Sequence, residues 1–503
     1  MMRIAVVFSF VAGFILTVIF GGIASGGAKH ASLKPPDDTA AYLKQGLETS
    51  SALATPAVTS EIDNAASADA AKSLKDAPAE EATEDPLSEA ETASNNEAGG
   101  AVDTDSSAVD TASFGGAERV APSESGPGPS GPKSAPSSDE TGRKALAGVN
   151  LSAMKLSDGK YRQRTEDGRE IQFTVDTEVQ KYAEGLFAQY EVPAAAAVLI
   201  NSHTGRIIAL AQERSVADAA PSNAVALDAS PPAASVFKIV TTAALLDNGI
   251  SLADETCYAG GSGGLNIHHL EEQLPKNHAC VSVSTALGRS VNAVFAKLSD
   301  KFLNRRILAA YAERFGFNRP LEFDVPIQSS SAEIPSERLE RARTAAGFWH
   351  THLSPVHAAA IAQSLAQGGA MLRPYVVDRV VDASGNIMYE SKTKYLGHTV
   401  AKETADSLKS ALVYTTSHGT ARKAFHDASG RPYLPGIDVA GKTGTLTGDK
   451  PYRAYTWFVG LAPANNPEVA VSVLVVNTPK WRIKASQAAA MILKKYFETR
   501  KRR

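Results

Sequence analysis

The chain has 503 residues, and its 51 Lys and Arg nearly balance its 54 Asp and Glu, for a formal net charge of −3 at pH 7. A balanced charge gives no support to a nucleic-acid partner, so none is expected. Roughly 350 residues follow the first 145, which is ample for one large domain with its own core.

The chain opens with an almost unbroken apolar run over residues 4–23. About twenty apolar residues are enough to span a bilayer as a helix, whereas the apolar part of a cleavable secretory signal usually has about 7–15. Small residues at 22–28 leave cleavage open, and no cysteine follows to indicate a lipoprotein. The few basic residues flank both sides of the run, so they do not give its orientation. We predict that residues 1–28 are a transmembrane anchor or a signal.

Residues 29–145 have a different composition, mostly Ala, Ser, Asp, Glu, Thr, Gly and Pro with almost no aromatic residues. Such a stretch buries too little apolar surface to offset its ordering entropy. We predict that it is a disordered, acidic linker between the membrane and a domain at residues 146–503. A tail that docks a partner is the alternative.

The patterns of the domain alternate between strand and helix. The predicted strands lie at 171–176, 195–200, 206–211, 438–445, 455–461 and 469–476. The predicted helices lie at 178–190, across much of 235–412, and at 484–497. The second and third strands flank a turn and are expected to form a β-hairpin. This order predicts an α+β domain in which helices cover an antiparallel sheet.

Cys257 and Cys280 are the two cysteines of the chain. A chain carried out of the cytoplasm meets an oxidising compartment, so we predict that they form a disulfide. Free thiols are one alternative. A zinc site with His268, His269 and His278, which lie between the cysteines, is another, although the spacing matches no common zinc finger.

The strongest candidate for chemistry is the pair Ser235 and Lys238. A loop at 230–233 precedes the pair and an apolar run closed by Asn-Gly follows it, which predicts a loop that enters a helix. Three residues apart on a helix, the two side chains share one face. Lys238 could therefore take the proton of Ser235, provided that burial and a nearby cation keep the lysine neutral. Free N–H groups at the start of the helix could face an oxyanion.

The spacing of this pair is weak by itself, because chance supplies a few such pairs in a chain of this length. Ser152 and Lys155 have the same spacing, but Leu-Ser-Asp-Gly follows at once, and no long apolar helix can form there. We interpret that second copy as chance.

Ser290 and Asn292 flank one apolar residue, which suits a turn between two helices with both polar side chains facing a cleft. Ser290 could relay a proton, and the Asn292 amide could hold a substrate amide. Taken alone, the triplet is better explained by a helix cap followed by a solvated asparagine.

Lys442, Thr443, Gly444 and Thr445 follow one another at a predicted strand. Gly444 lets another backbone approach the strand closely. Lys442 and the threonine hydroxyls can bind an anion, most naturally a carboxylate. The Thr445 backbone N–H could be a second oxyanion donor beside that of Ser235. Taken alone, these four residues could simply be the polar end of a strand.

In this order the motifs Ser-x-x-Lys, Ser-x-Asn and Lys-Thr-Gly are far more specific, because together they form the set of the penicillin-interacting serine enzymes. From about residue 168 onward the chain resembles the transpeptidase domain of penicillin-binding proteins. Further stretches that resemble the family are 174–176 with Gln180, 204–207, 354–355 with Gly368-Gly369, 419–421 and 457–460. The resemblance implies an antiparallel five-stranded sheet covered by helices, together with an all-helical subdomain.

The resemblance also implies a chemistry. The implied roles are nucleophile for Ser235, base for Lys238, proton shuttle for Ser290, peptide binding for Asn292, electropositive support for Lys442, and carboxylate binding for Thr443 and Thr445 beside Gly444. The family attacks the D-alanyl-D-alanine end of a peptidoglycan stem peptide and passes the acyl group to an amine or to water. β-Lactams mimic that dipeptide and trap the serine. We expect no cofactor, no catalytic metal, and a bacterial, single-pass membrane protein whose domain works outside the cytoplasmic membrane.

Two departures from the family pattern bear on this expectation. The linker takes the place of a glycosyltransferase domain, and no pedestal domain of division or elongation transpeptidases is recognised, which weakens the expectation of such a partner-directed role. A class D-like β-lactamase or a non-catalytic β-lactam sensor on the same fold is the alternative, because Ser-Val-Phe-Lys resembles their motif. Those proteins usually carry a valine where Asn292 stands. The Glu-x-x-Leu-Asn stretch of class A β-lactamases is not found.

Overall fold

The computed structural model of the protein describes residue 142 and residues 144–216, 224–261 and 264–502. The predicted anchor and nearly all of the predicted linker lie outside these residues. No helix in the described part of the chain is long and apolar enough to cross a membrane.

Strands and helices alternate along the described chain. The strands are β1 (Lys155–Ser157), β2 (Lys160–Arg164), β3 (Glu170–Phe173), β4 (Ala194–Asn201), β5 (Ile207–Arg214), β6 (Glu255–Tyr258), β7 (Ala279–Ser282), β8 (Ser331–Ala332), β9 (Thr351–His352), β10 (Ala370–Leu372), β11 (Val377–Val381), β12 (Ile387–Glu390), β13 (Tyr395–His398), β14 (Ala440–Asp449), β15 (Tyr452–Ala462) and β16 (Val469–Asn477). The α-helices are α1 (Thr177–Gln189), α2 (Lys238–Asp247), α3 (Val283–Arg289), α4 (Asn292–Phe302), α5 (Arg305–Arg314), α6 (Arg338–Ala346), α7 (Pro355–Ala366), α8 (Lys402–Ser417), α9 (Arg422–Phe425) and α10 (Ala485–Lys501).

The central sheet is antiparallel and has five strands in the order β14-β15-β16-β4-β5. Its strands are the predicted hairpin and the three predicted C-terminal strands, so the predicted antiparallel sheet is confirmed. Helices α1 and α10 pack on one face, and α7 packs on the other.

Both faces of the sheet are buried. In β4, Ala196 and Val198 belong to the core on one side, whereas Ala197 and Leu199 belong to the core on the other. Side chains alternate along a strand, so a strand covered on both faces needs apolar residues at every position. This explains why β4 is a continuous apolar run.

The middle of the chain is not purely helical, which corrects the expectation of an all-helical subdomain. Three two-stranded antiparallel sheets, β6–β7, β8–β9 and β10–β13, lie among its helices. A second five-stranded sheet has the order β1-β2-β3-β11-β12. Of its strands only β3 was predicted. The others have three to five residues, too few to display a clear alternation.

Residues 144 and 145 belong to the domain, although composition assigned them to the linker. Ala145 is buried, and the Arg169 guanidinium donates a hydrogen bond to its carbonyl at 2.6 Å. A helical turn at residues 144–146 brings that carbonyl into place.

Cys257 and Cys280 are bonded to each other and pair directly across β6 and β7. His278 lies close to both sulfur atoms, while His269 accepts a hydrogen bond from the Asn266 backbone at 2.9 Å. Because the disulfide uses both sulfur atoms, the zinc alternative would require its reduction.

Helix α7 carries a buried histidine near its start. His357 Nε2 lies 2.7 Å from the Phe315 carbonyl oxygen, which can only accept, so this nitrogen carries the hydrogen. Burial disfavours the imidazolium and lowers the pKa of His357 to about 4. The ring is therefore neutral in the folded protein at neutral pH.

Candidate active site

Ser235 lies in a short 3-10 helix, Ala234–Phe237, that runs directly into α2 at Lys238. The preceding Ala234 has a φ of 49°, a left-handed conformation that is uncommon for a residue with a side chain. Helix α2 ends at the predicted Asn-Gly, where Gly249 has a φ of 91°. The predicted entry of a loop into a helix is therefore confirmed.

Lys238 is fully buried and lies among three hydrogen-bond acceptors. Its Nζ atom lies 2.7 Å from Ser235 Oγ and 2.6 Å from Asn292 Oδ1, and it donates to the Ala346 carbonyl. The Phe295 ring closes another side, with its centroid 5.8 Å from Nζ. The serine and the lysine are thus in direct contact, as their spacing predicted.

Ser290 and Asn292 lie at the turn between α3 and α4, where a turn between two helices was predicted. Ser290 ends α3 in the left-handed conformation, with a φ of 59°. Its Oγ atom accepts a hydrogen bond from Lys442 Nζ at 2.8 Å. Asn292 begins α4 and is only 6% exposed, so it is not a solvated residue, and its amide oxygen binds Lys238.

Lys442 and the three residues after it lie on β14, an edge strand of the central sheet. Lys442 is fully buried, and its Nζ atom bridges Ser290 Oγ and the Thr443 carbonyl, the latter at 2.9 Å. Side chains alternate along the strand, so Thr443 and Thr445 lie on the opposite face from Lys442. The Nζ atoms of two buried lysines, Lys238 and Lys442, thus each contact one of the two candidate serines, Ser235 and Ser290.

Two glycines let neighbouring backbones pack against the nucleophile. A Cβ on Gly444 would lie 3.2 Å from Ala234 Cβ and 3.4 Å from the Ser235 backbone nitrogen. A Cβ on Gly347 would lie 2.5 Å from the Ala234 carbonyl oxygen, and Gly347 has a φ of 89°. The close approach at Gly444 was expected. Gly347 was missed, because in the sequence it is indistinguishable from any glycine that ends a helix.

Two side chains support the site through contacts that sequence reasoning did not find. The Thr420 hydroxyl is hydrogen-bonded to the Thr443 hydroxyl. The Trp457 indole N–H donates to the Pro232 carbonyl at 2.9 Å and so holds the loop before the nucleophile. Both residues lie in sequence stretches that resemble the family, 419–421 and 457–460, but the resemblance does not give the contacts that they make.

The outer edge of β14 has no strand partner among the described residues. An edge strand presents backbone N–H and C=O groups that can pair with an extended peptide. Because β14 carries the Lys-Thr-Gly motif beside Ser235, a peptide bound to this edge would pass the candidate nucleophile.

The second Ser-x-x-Lys sequence does not form a comparable pair. Ser152 lies in a short 3-10 helix, Leu151–Ala153, and Lys155 begins β1. Both residues are exposed. This supports the interpretation of that copy as chance.

Within the described ranges, the one group with metal-ligand geometry is Cys257, His278 and Cys280, at the disulfide. It includes none of the residues around Ser235. The residues of the Ser235 site supply a serine hydroxyl, lysine amines and hydrogen-bond donors.

Comparison of sequences gives the following relationships. The family model described as the penicillin-binding protein transpeptidase domain matches residues 195–498. Stage V sporulation protein D of Bacillus subtilis is 26% identical over 340 residues, which are 63% of this chain and 51% of that protein. Peptidoglycan D,D-transpeptidase PbpA of Mycobacterium tuberculosis is 28% identical over 299 residues, 56% of this chain and 57% of the relative. The chain thus spans about half the length of the curated relatives it matches.

Solved structures share the fold. The D,D-transpeptidase domain of a peptidoglycan glycosyltransferase from Eggerthella lenta superposes with a TM-score of 0.56 at 24% identity, over 66% of this chain and 84% of that one. The ceftriaxone acyl-enzyme complex of penicillin-binding protein A from Mycobacterium tuberculosis superposes with a TM-score of 0.54 at 23% identity, over 66% and 80% of the two chains.

Proposed function

The chain belongs to the penicillin-binding protein transpeptidase family, and from this premise we propose that it acylates Ser235 with the D-alanyl-D-alanine end of a peptidoglycan stem peptide. Transfer of the acyl group to an amine of a second stem peptide makes the protein a D,D-transpeptidase, and transfer to water makes it a D,D-carboxypeptidase. The observation that carries the proposal is the 2.7 Å contact between Lys238 Nζ and Ser235 Oγ inside a buried network.

In the acylation step, Ser235 Oγ attacks the carbonyl carbon of the penultimate D-alanine. The hydroxyl proton moves to Lys238 Nζ, and the ester bond forms as the peptide bond to the terminal D-alanine breaks. A lysine accepts a proton only in its neutral form, and burial disfavours the charged form of an amine. The complete burial of Lys238 suits the role of base, and because Lys442 is equally buried, the role is assigned to Lys238 on its direct contact with Ser235 Oγ.

The departing D-alanine nitrogen needs a proton, and Ser290 is proposed to deliver it. Lys442 Nζ donates to Ser290 Oγ at 2.8 Å, so the hydroxyl hydrogen of Ser290 must point elsewhere. The Lys442 charge also makes it easier for Ser290 to release a proton. Ser290 takes a replacement proton from Lys238, which restores the neutral base.

The substrate peptide is proposed to bind along the edge of β14. Its terminal carboxylate lies against the Thr443 and Thr445 hydroxyls, and the Asn292 amide binds a backbone group of the peptide. The backbone N–H groups of Ser235 and Thr445 stabilise the oxyanion. The close packing of Gly444 on the Ser235 amide supports this arrangement.

A β-lactam is proposed to enter the same site as an analogue of the D-alanyl-D-alanine dipeptide. Ser235 Oγ opens the lactam ring and remains esterified, because the leaving amine stays tethered to the acyl group and occupies the path of an incoming acceptor. This predicts a long-lived adduct and little hydrolysis.

We place the domain outside the cytoplasmic membrane of a bacterium, with residues 4–23 as a single-pass anchor. The length of that apolar run supports an anchor. The Cys257–Cys280 disulfide supports an oxidising compartment. Residues 29–141 would then act as the linker between the two.

Mass spectrometry tests this function. The protein is incubated with a pentapeptide that ends in D-alanyl-D-alanine and, separately, with penicillin and with nitrocefin. We expect release of D-alanine, a stable penicillin adduct, and no steady hydrolysis of nitrocefin. Rapid turnover of nitrocefin without an adduct would instead indicate a β-lactamase. An adduct without any release of D-alanine would indicate a sensor.

A further inference from the structure

The C-terminal end of α6 supplies one of the acceptors around Lys238. The last carbonyls of an α-helix have no partner within the helix and must be satisfied from elsewhere. Here the Phe348 and Gly347 backbone N–H groups bind the Arg343 and Thr344 carbonyls, at 3.0 and 2.9 Å. The next two carbonyls, those of Ala345 and Ala346, accept hydrogen bonds from side chains of α2.

These two side chains are Thr241 and Lys238, which lie one turn apart on the same face of α2. Thr241 Oγ1 donates to the Ala345 carbonyl at 2.7 Å, which is much closer than the Phe237 carbonyl of its own helix at 3.4 Å, and Lys238 Nζ donates to the Ala346 carbonyl. Thr241 is fully buried. Because the two carbonyls are adjacent on one chain, fixing the first also fixes the direction of the second.

The Ala346 carbonyl restricts how the neutral amine of Lys238 can point. A neutral amine has two N–H donors and one lone pair. A carbonyl oxygen can only accept, and Asn292 Oδ1 is likewise an acceptor, so these two groups take both N–H donors. The lone pair is then left toward Ser235 Oγ, which is the direction from which the proton must come.

We propose that Thr241 is a positioning residue for acylation: its hydroxyl holds the end of α6 so that the Ala346 carbonyl aligns Lys238 with Ser235. This inference rests on the proposed function, because it concerns the base of that reaction. Thr241 itself touches neither the base nor the nucleophile through its hydroxyl. Its effect is therefore expected on the rate of the chemical step rather than on the binding of substrate.

Thr242 provides a matched control. It is also fully buried on α2, but its hydroxyl donates to the Lys238 backbone carbonyl at 2.6 Å, within its own helix. Thr241→Val and Thr242→Val therefore make the same chemical change in the same core, and only the first removes a bond to α6. Thr241→Ser keeps the hydroxyl.

The experiment follows covalent labelling by a fluorescent penicillin over a range of concentrations, which separates the dissociation constant before acylation from the limiting acylation rate. Misplacement of a reacting group by about 1 Å can cost about 100-fold in rate. We expect Thr241→Val to lower the limiting rate at least about tenfold with little change in the dissociation constant. Thr241→Ser should recover most of the rate, and Thr242→Val should stay close to the wild type.

The proposal is overturned if the two valine variants lose rate equally, if Thr241→Val changes only the dissociation constant, or if Thr241→Ser does not recover the rate. If Thr241→Val does not fold, Thr241→Ala measured against Thr242→Ala makes the same comparison. Ser235→Ala distinguishes a failure of the proposed function from a failure of the positioning role of Thr241. Labelling that persists in Ser235→Ala overturns the proposed function, whereas labelling that is confined to Ser235 but insensitive to Thr241 overturns only the positioning role.

Discussion

Replacing either buried lysine with arginine distinguishes a base from a fixed charge. Lys238 Nζ contacts Ser235 Oγ at 2.7 Å, and Lys442 Nζ contacts Ser290 Oγ at 2.8 Å, and both lysines are fully buried. A guanidinium does not lose its proton in proteins, so Lys238→Arg replaces the proposed neutral base with a group that cannot accept a proton. Lys442→Arg keeps the charge that the proposed mechanism requires there, although the planar fork fits the space less well.

The two substitutions should lower the acylation rate by different factors. A general base contributes about 100- to 10,000-fold to a rate, and Lys238→Arg should lose all of that factor. Lys442→Arg should lose only alignment, because its head group must replace one Nζ atom that bridges Ser290 Oγ and the Thr443 carbonyl. We expect a loss of about tenfold to 100-fold for Lys442→Arg.

Acylation by a fluorescent penicillin, followed in a single turnover, measures both effects. Thermal unfolding of each variant serves as the control for a folded domain. Rapid acylation by Lys238→Arg would refute the proposed mechanism, because a residue that cannot accept a proton would have replaced the base. An equal loss in both variants would show that the assignment of base and fixed charge is not supported.

Three further predictions concern the linker, the backbone around the nucleophile and the stability of the core. Removal of residues 1–140 should leave a soluble domain that binds penicillin covalently, since the removed stretch cannot contribute to a core; an insoluble or unreactive domain would contradict this. Gly347→Ala should slow acylation and lower the melting temperature, because its Cβ would lie 2.5 Å from the Ala234 carbonyl oxygen at a φ of 89°; an unchanged variant would show that the backbones can separate without cost. Since burial lowers the pKa of His357 from 6.5 to about 4, the folded state binds its proton less readily than the unfolded state, and the free energy of unfolding should fall by about 3 kcal/mol as the pH decreases from 6.5 to 4. In denaturant titrations His357→Gln should lack that part of the decrease, and an equal decrease in both proteins would contradict the assignment.

The central sheet could be predicted because its strands carry strong local patterns. The hairpin β4–β5 is two apolar runs around a turn, β15 and β16 are rich in apolar and β-branched residues, and β14 has threonines at alternate positions. The second five-stranded sheet could not be predicted in the same way. Its central pairing joins β3 to β11, which are far apart in the sequence, and most of its strands are too short to show a period.

Some residues of the candidate site could likewise be predicted from local sequence patterns, whereas others could not. Side chains with a characteristic spacing, such as Ser235 and Lys238, can be recognised in the sequence. The order of the three motifs then makes them specific for one enzyme family. Asn292 required the fold, because taken alone its triplet was better explained by a solvated residue, whereas the structure buries it against Lys238. The Ala346 carbonyl has no sequence signature, since every residue carries such a group, and only the packing of α6 on α2 selects it.

The most direct test of the central claim is to locate the penicillin adduct by peptide mapping and mass spectrometry in the wild type, Ser235→Ala and Ser152→Ala. The two serines share the same spacing to a lysine, but only Ser235 contacts its lysine in a buried helix start. We predict one adduct on Ser235, no adduct in Ser235→Ala, and labelling of Ser152→Ala equal to that of the wild type. A penicillin adduct in Ser235→Ala, or its loss in Ser152→Ala, would contradict the assignment of the nucleophile.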